Sequence, residues 1–239
     1  MFKTFLEKLT MVFKDSVLRK RVLFALGVLV IFRLLATIPI PGIDAQKLSE
    51  LLANNQFLGL IDIFSGGGLG NLSIMMLGVG PYITATIIMQ LLTMIFPKLK
   101  AMYQEEGEAG RMKFAQYSRL LTVPLAVVQG FGFMALLQNQ KVLVGLSGFD
   151  MLTNLVLITA GSIFLMWLGE LITEFGIGNG VSLLIFAGIV AQAPSALSQI
   201  AFNFDASQIP LYLGFLVAAL AVVFGVVVIT EAERPIPVT

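Results

Sequence analysis

The sequence predicts an all-α protein, a polytopic bundle of membrane-spanning helices. Three observations carry that expectation. Of 239 residues, 57% are hydrophobic and only 12% charged, with a mean hydropathy of +0.93; soluble domains average about 25% charged residues. Six stretches approach the roughly 20 apolar residues that a helix needs to cross the hydrocarbon core. The basic residues fall mainly in alternate connections, as the positive-inside rule requires.

The first predicted span covers 22–38. Arg33 interrupts its apolar run and no small-residue cleavage site follows, so it reads as an uncleaved helix rather than a secretory signal. Arg33 is expected near the outer end, with its side chain snorkelling toward the interface. Further spans are predicted over 74–96, 120–137, 151–168, 181–202 and 211–230. The fifth is the weakest, because Gln192, Pro194, Ser195, Ser198 and Gln199 dilute its second half. This divides the chain into an N-terminal segment (1–21), a five-helix portion (22–202) and a sixth helix with the start of a further connection (203–239).

Six basic residues precede the first span (Lys3, Lys8, Lys14, Arg19, Lys20, Arg21), and five follow the second (Lys98, Lys100, Arg111, Lys113, Arg119). Both segments are placed on the cytoplasmic side. The connections after spans one, three and five hold only Lys47 and Lys141. An even number of spans then returns the C-terminus to the cytoplasm. The connection 169–180 departs from the pattern, with Glu170 and Glu174 and no basic residue. Ahead of the first span, Phe2, Phe5, Leu6, Leu9, Val12 and Phe13 follow helical spacing between lysines. That spacing suits an amphipathic helix lying in the headgroups or packing on another helix. The charged stretch 98–119 reads as a solvated loop, or as a docking surface for a cytoplasmic partner.

The composition narrows the chemistry. Cysteine and histidine are both absent, which excludes disulfides, thiolate chemistry and imidazole bases or ligands. Glu170 and Glu174 lie one helical turn apart, but at a cytoplasmic helix end they read as solvated carboxylates. No catalytic residue, metal or cofactor is expected. The run Gly176-Ile-Gly-Asn-Gly180 reads as a tight turn in which Gly and Asn supply left-handed positions; its spacing is not that of a dinucleotide fingerprint. Among polar residues inside the spans, Thr84, Thr86, Gln90 and Gln129 are expected to hydrogen-bond between helices, with a place on a transport pathway as the alternative.

Two features admit two readings each. Phe64-Ser-Gly-Gly-Gly-Leu-Gly places four glycines within 66–70, behind an apolar lead of Phe57, Leu58, Leu60, Ile61 and Ile63. A short apolar segment on a glycine tether beside a spanning helix would suit a movable stopper or a re-entrant connection that merely packs. Ile83 and Ile87 share one helix face, as do Val181 and Ile185. Such pairs are core or lipid-facing residues, or, if the two faces meet around an opening, an apolar constriction that sheds water and yields to a passing chain.

Several motifs occur together and in order: Ile40-Pro-Gly-Ile43; Phe64-Ser-Gly-Gly-Gly; Leu77-Gly-Val-Gly-Pro-Tyr-Ile; Glu106-Gly-Glu-Ala-Gly-Arg111; Gln116-Tyr-Ser-Arg119; Phe164-Leu-Met-Trp-Leu-Gly-Glu170; Ile172-Thr-Glu-Phe-Gly-Ile-Gly-Asn-Gly-Val-Ser182; and Ile185-Phe-Ala-Gly-Ile189. The series resembles the SecY family of protein-conducting channels over nearly the whole chain. The resemblance implies the first half of an inverted-repeat channel plus one further helix. It implies a plug at about 57–73, including Ile61, Ile63, Phe64, Ser65, Gly66, Gly67, Gly68, Leu69 and Gly70. It implies a pore ring to which Ile83, Ile87, Val181 and Ile185 contribute, and one side of a lateral gate with Thr86, Gln90 and Gln129 on it. Lys98, Lys100, Arg111, Lys113 and Arg119 would form a partner-docking loop.

The implied partners are small SecE-type and SecG-type membrane subunits, a SecA motor or a ribosome, signal sequences, unfolded polypeptides and membrane lipid. The implied location is the bacterial cytoplasmic membrane. Family members have ten spanning helices and this sequence accounts for six, so a truncated or split protein is expected, with the remaining helices on another chain or lost. Phe175 stands where the family usually carries a basic residue. A small-solute secondary transporter and a non-conducting insertion or assembly factor are the alternatives from other classes.

Overall fold

The computed structural model describes residues 14–42, 45–55, 58–60, 62, 65–143, 147–202 and 209–231. The amphipathic stretch before Lys14 and the plug candidates Ile61, Ile63 and Phe64 lie outside them. The helices of the first compact unit, residues 1–192, are α1 (Ser16–Leu35), α2 (Ala45–Asn54), α3 (Gly80–Ile95), α4 (Pro97–Gln104), α5 (Gly107–Asn139), α6 (Gly148–Phe175) and α7 (Gly180–Val190). A second unit, residues 193–239, contains α8 (Ala193–Phe202) and α9 (Ile209–Glu231). Contacts thus divide the chain ten residues ahead of the expected boundary at 202.

Among the described residues, α5, α6 and residues 209–230 of α9 are long and apolar enough to cross a membrane unaided, and α3 with α4 qualifies as one broken span. The other expected spans are shorter or more charged. Helix α1 holds Arg19, Lys20, Arg21 and Arg33 within its 20 residues. Helix α7 has 11 residues and is closed at Ala191, the point where the expected fifth span loses its apolar character. The second span loses its first turns: residues 74–79 form successive turns, and helix starts only at Gly80, with Pro81 in its first turn.

The stretch read as a solvated loop, 98–119, is helical. Pro97 opens α4 at a 113° bend from α3, and Gly107, with φ +65°, turns the chain into α5. Tyr103 and Phe114 pack at a tilt of 48° with ring centroids 4.9 Å apart across this hairpin. Helix α5 runs 33 residues, and its buried positions Gly110, Phe114, Ser118, Thr122, Ala126, Gly130 and Met134 recur every fourth residue. A four-residue period advances about 40° per step around a helix with 3.6 residues per turn. The buried stripe therefore winds around α5, which accounts for its packing on α4, α3 and α6 in turn.

Helix α6 organises the interior. A capping box between Ser147 and Asp150 starts it, and Asn154 Nδ2 donates to Pro41 O at 3.2 Å, tying down the Ile-Pro-Gly turn. At Gly161 a side chain would run into the carbonyl oxygen of Ile74, and Ser162 Oγ donates to Gly78 O at 3.0 Å. The turns at 74–79 thus lie directly on α6. Their outer edge is held by an antiparallel bridge between Pro39 and Ser73, with Ile40 N donating to Leu72 O at 2.9 Å. Two apolar cores flank the turns. One gathers Ile40, Leu69, Leu72, Met76, Met134 and Ile158; the other gathers Val28, Phe32, Met75, Val79, Leu165 and Leu184.

The turn to α7 is shorter than expected, because α6 continues to Phe175. Gly178 alone takes a left-handed conformation (φ +65°), whereas Asn179 is extended (φ −87°) and caps α7 by accepting from Ser182 N. A Cβ at Gly180 would overlap Gly169 O, so the two helices cross through a pair of glycines. Phe175 packs edge-on against Phe24 of α1, with ring centroids 6.0 Å apart.

This packing yields a paired prediction. Gly161→Ala pushes a methyl group onto a main-chain carbonyl that cannot swing away, and should cost about 1–3 kcal/mol. At Gly132 on α5 nothing stands within 4 Å of the missing Cβ, so Gly132→Ala should be neutral or stabilise by up to about 1 kcal/mol. Denaturant unfolding of both variants in detergent, followed by circular dichroism, checks the pair; equal shifts would contradict the packing.

Candidate functional site

A cleft of about 630 Å³ opens between α3, α5, α6 and α7. Its apolar lining is Ile83 and Ile87 from α3, Ala115 from α5, and Val181 and Ile185 from α7. Each isoleucine or valine pair lies one helical turn apart, so both members project the same way. Ile83, Val181 and Ile185 rest against the second core, and Ile87 is 50% exposed. All four residues expected in a ring thus reach one concave surface. The polar lining comprises Tyr82, Thr86, Gln90, Arg119, Glu170, Thr173, Glu174, Asn179 and Ser182.

The expected roles of several polar residues change. Arg119, expected in a partner-docking loop, lies on helix α5; its Nε donates to Glu170 Oε1, an ion pair joining α5 to α6 on the cleft wall. Glu170 is therefore paired rather than simply solvated, while Glu174, a turn further on, is exposed. Lys98, Lys100, Arg111 and Lys113 are exposed on α4 and the start of α5. Thr84 and Thr86 do not bridge helices. Their hydroxyls donate back to Gly80 O and Tyr82 O, at 3.0 and 2.8 Å, within α3. Thr86 and Gln90 line the cleft; Gln129 is half-buried on α5 and lies outside its lining.

The glycine segment is packed rather than loose. Ser65, Leu69 and Leu72 are buried, and Leu69 is 1% exposed. Gly66 and Gly67 take φ of +73° and +80°, conformations costly for any residue with a side chain. A Cβ at Gly66 would stand 2.8 Å from the Phe32 ring and 3.0 Å from Gly188 Cα. Ser65 and Ile185 border the same small void of about 10 Å³. Helix α7 thus carries the cleft's apolar residues near its start and meets the glycine segment near its end.

Asp62, near this segment, had no role assigned from sequence. Asp62 Oδ1 accepts from Gly70 N at 2.5 Å, and its Oδ2 accepts from Gln192 Nε2 at 3.4 Å. A single carboxylate inside an otherwise apolar lead is the signal that marks it. Arg33 does not snorkel away. Its Nη1 donates to Gly66 O at 2.6 Å, so the charge is turned inward onto the segment.

Among the described residues, no group of three or more acidic side chains is placed to hold a metal ion. The cleft offers an apolar waist with hydroxyl, amide and paired-ion walls.

Comparison with known proteins bears on this arrangement. The SecY family model matches residues 73–239. The protein translocase subunit SecY of Streptomyces scabiei is 43% identical over 241 residues, covering 95% of this chain and 55% of that protein. The SecY of Escherichia coli K12 is 44% identical over 229 residues, covering 92% of this chain and 52% of that protein. The fold is similar to a solved protein-conducting channel (TM-score 0.60, 22% identity, 88% of this chain and 48% of that one). It is also similar to Sec61 in the canine ribosome-channel complex (TM-score 0.62, 22% identity, 94% and 50%). The chain spans about half the length of these proteins, and it belongs to the SecY family.

Proposed function

We propose that this chain is the N-terminal portion of the channel-forming subunit of a Sec translocon, which passes unfolded secretory polypeptides across the bacterial cytoplasmic membrane and releases hydrophobic segments sideways into lipid. The observation that carries the reading is the convergence of Ile83 and Ile87 with Val181 and Ile185 on one cleft, with the glycine segment packed beside Ile185. In this reading the four side chains are half of a ring and the segment at about 57–73, with the glycines at its centre, is the stopper. Thr86 and Gln90, with Gln129 further out, lie on the α3 and α5 side of the lateral gate. An apolar ring binds a moving chain weakly at any one point, yet sheds the water that ions need.

Both termini are placed in the cytoplasm, where the exposed Lys98, Lys100, Arg111 and Lys113 face a SecA motor or a ribosome that supplies the driving energy. SecE-type and SecG-type subunits and the remaining length of a full SecY chain complete the pore.

Vesicles test the proposal. Membranes holding this chain together with the remaining length of a full SecY and its small subunits should import a secretory precursor when a motor is added. Vesicles holding this chain alone should not. Absence of import from the complete set, with the motor shown to be active, would contradict the proposal. Replacing Ile83, Ile87, Val181 and Ile185 together by serine should wet the constriction. Ion leak through the vesicles should then rise by about tenfold or more at unchanged precursor import; an unchanged leak would remove the ring from the account.

A further inference from the structure

We propose that Arg33 and Gln192 form a two-point latch on a pre-folded stopper, and that the Gln192 point is released when α7 moves. The inference rests on the reading of the segment at about 57–73 as a stopper and concerns what regulates it.

The described part of the segment, Asp62 and residues 65–70, is closed on itself. Beyond the 2.5 Å bond from Gly70 N to Asp62 Oδ1, the Asp62 carbonyl accepts from Gly67 N and Ser65 Oγ, at 2.9 and 3.0 Å. Ser65 Oγ accepts in turn from Leu69 N at 3.1 Å. A segment so tied leaves its seat as a unit, without first unfolding. What holds the unit from outside is different in kind. Arg33 reaches from α1 to Gly66 O, and Gln192 reaches from the end of α7 to the free Asp62 oxygen. A guanidinium in an apolar helix needs a partner, and the left-handed turn at Gly66 presents its carbonyl as one.

The second point is coupled to the cleft by register. Val181, Ile185, Gly188 and Gln192 follow one another at spacings of four, three and four, which keeps them on one face of α7 and the turn that ends it. The first two line the cleft, the third is the seat of Gly66, and the fourth holds Asp62. A chain that pushes α7 outward at Val181 and Ile185 therefore draws Gly188 and Gln192 off the stopper in the same movement.

The absence of cysteine from these 239 residues permits a direct test in membranes containing the complete translocon, its other parts made cysteine-free. A Leu69→Cys reporter, buried in the parent, is labelled with a membrane-impermeant maleimide, with and without a stalled precursor. A second reporter, Ile172→Cys on α6, monitors general loosening. Arg33→Met should raise the Leu69→Cys labelling rate about tenfold or more without precursor, as expected for loss of a charge-assisted hydrogen bond. Gln192→Leu should raise it several-fold, Arg33→Lys should restore protection in part, and the α6 reporter should stay protected throughout. Parent-like labelling in both Arg33→Met and Gln192→Leu, while the stalled precursor still exposes Leu69→Cys, would overturn the latch and leave the stopper standing. A stalled precursor that does not expose Leu69→Cys in the parent would instead overturn the stopper reading. If Arg33→Met does not accumulate, Gln192→Leu decides by the same criterion.

Discussion

At Gly161, α6 lies so close to the carbonyl of Ile74 that no side chain fits between them. Within a bilayer, helices gain little from the hydrophobic effect against one another, since lipid is as apolar as leucine. Close backbone approach at small residues and interhelical hydrogen bonds take over that role. The Gly161 contact, reinforced by Ser162 on Gly78 O, sets the turns 74–79 against α6 and so fixes where α3 begins. The Gly169–Gly180 crossing does the same for α7. The positions of Ile83 and Ile87 on one side of the cleft, and of Val181 and Ile185 on the other, follow from these two glycine contacts on a single helix.

The same stretch also seats the glycine segment. Leu69 and Leu72 enter one core while Met75 and Val79 enter the other, so 69–79 lies between them as a wedge. The glycine segment ahead of the wedge is held by a few polar contacts through Asp62, Gly66 and Gly70. In the proposed stopper, such contacts are the ones that a modest helix movement can break.

Much of this was legible in the sequence. The all-α class and the broken fifth span follow from hydropathy, and helical register puts each isoleucine or valine pair on one helix face. That the two faces meet was implied only by the family resemblance that the ordered motifs carry. What was not legible has physical reasons. The stretch 98–119 carries enough charge to read as a loop, but Pro97, the turn at Gly107 and the Tyr103–Phe114 pair make it a helical hairpin, and polarity alone cannot distinguish a solvated helix from a solvated loop. Glu170 reads as solvated because its partner, Arg119, is 51 residues away, and sequence spacing carries no information on such a pair. Arg33 could satisfy its charge at the interface or inside, and only the carbonyl that Gly66 turns toward it decides the matter. Phe175 packs on Phe24, an aromatic contact that no local pattern indicates.

The claim that the α3–α7 face lines a polypeptide path is tested most directly by disulfide capture. Single cysteines at Ile87 and Ile185 would be placed in the complete translocon, with Val156→Cys, exposed on α6 and outside the cleft, as the control. Each would be challenged with a stalled secretory chain carrying one cysteine. The account predicts mixed disulfides at both cleft positions and none at Val156. Capture at Val156 to the same extent, or at neither cleft position, would contradict it.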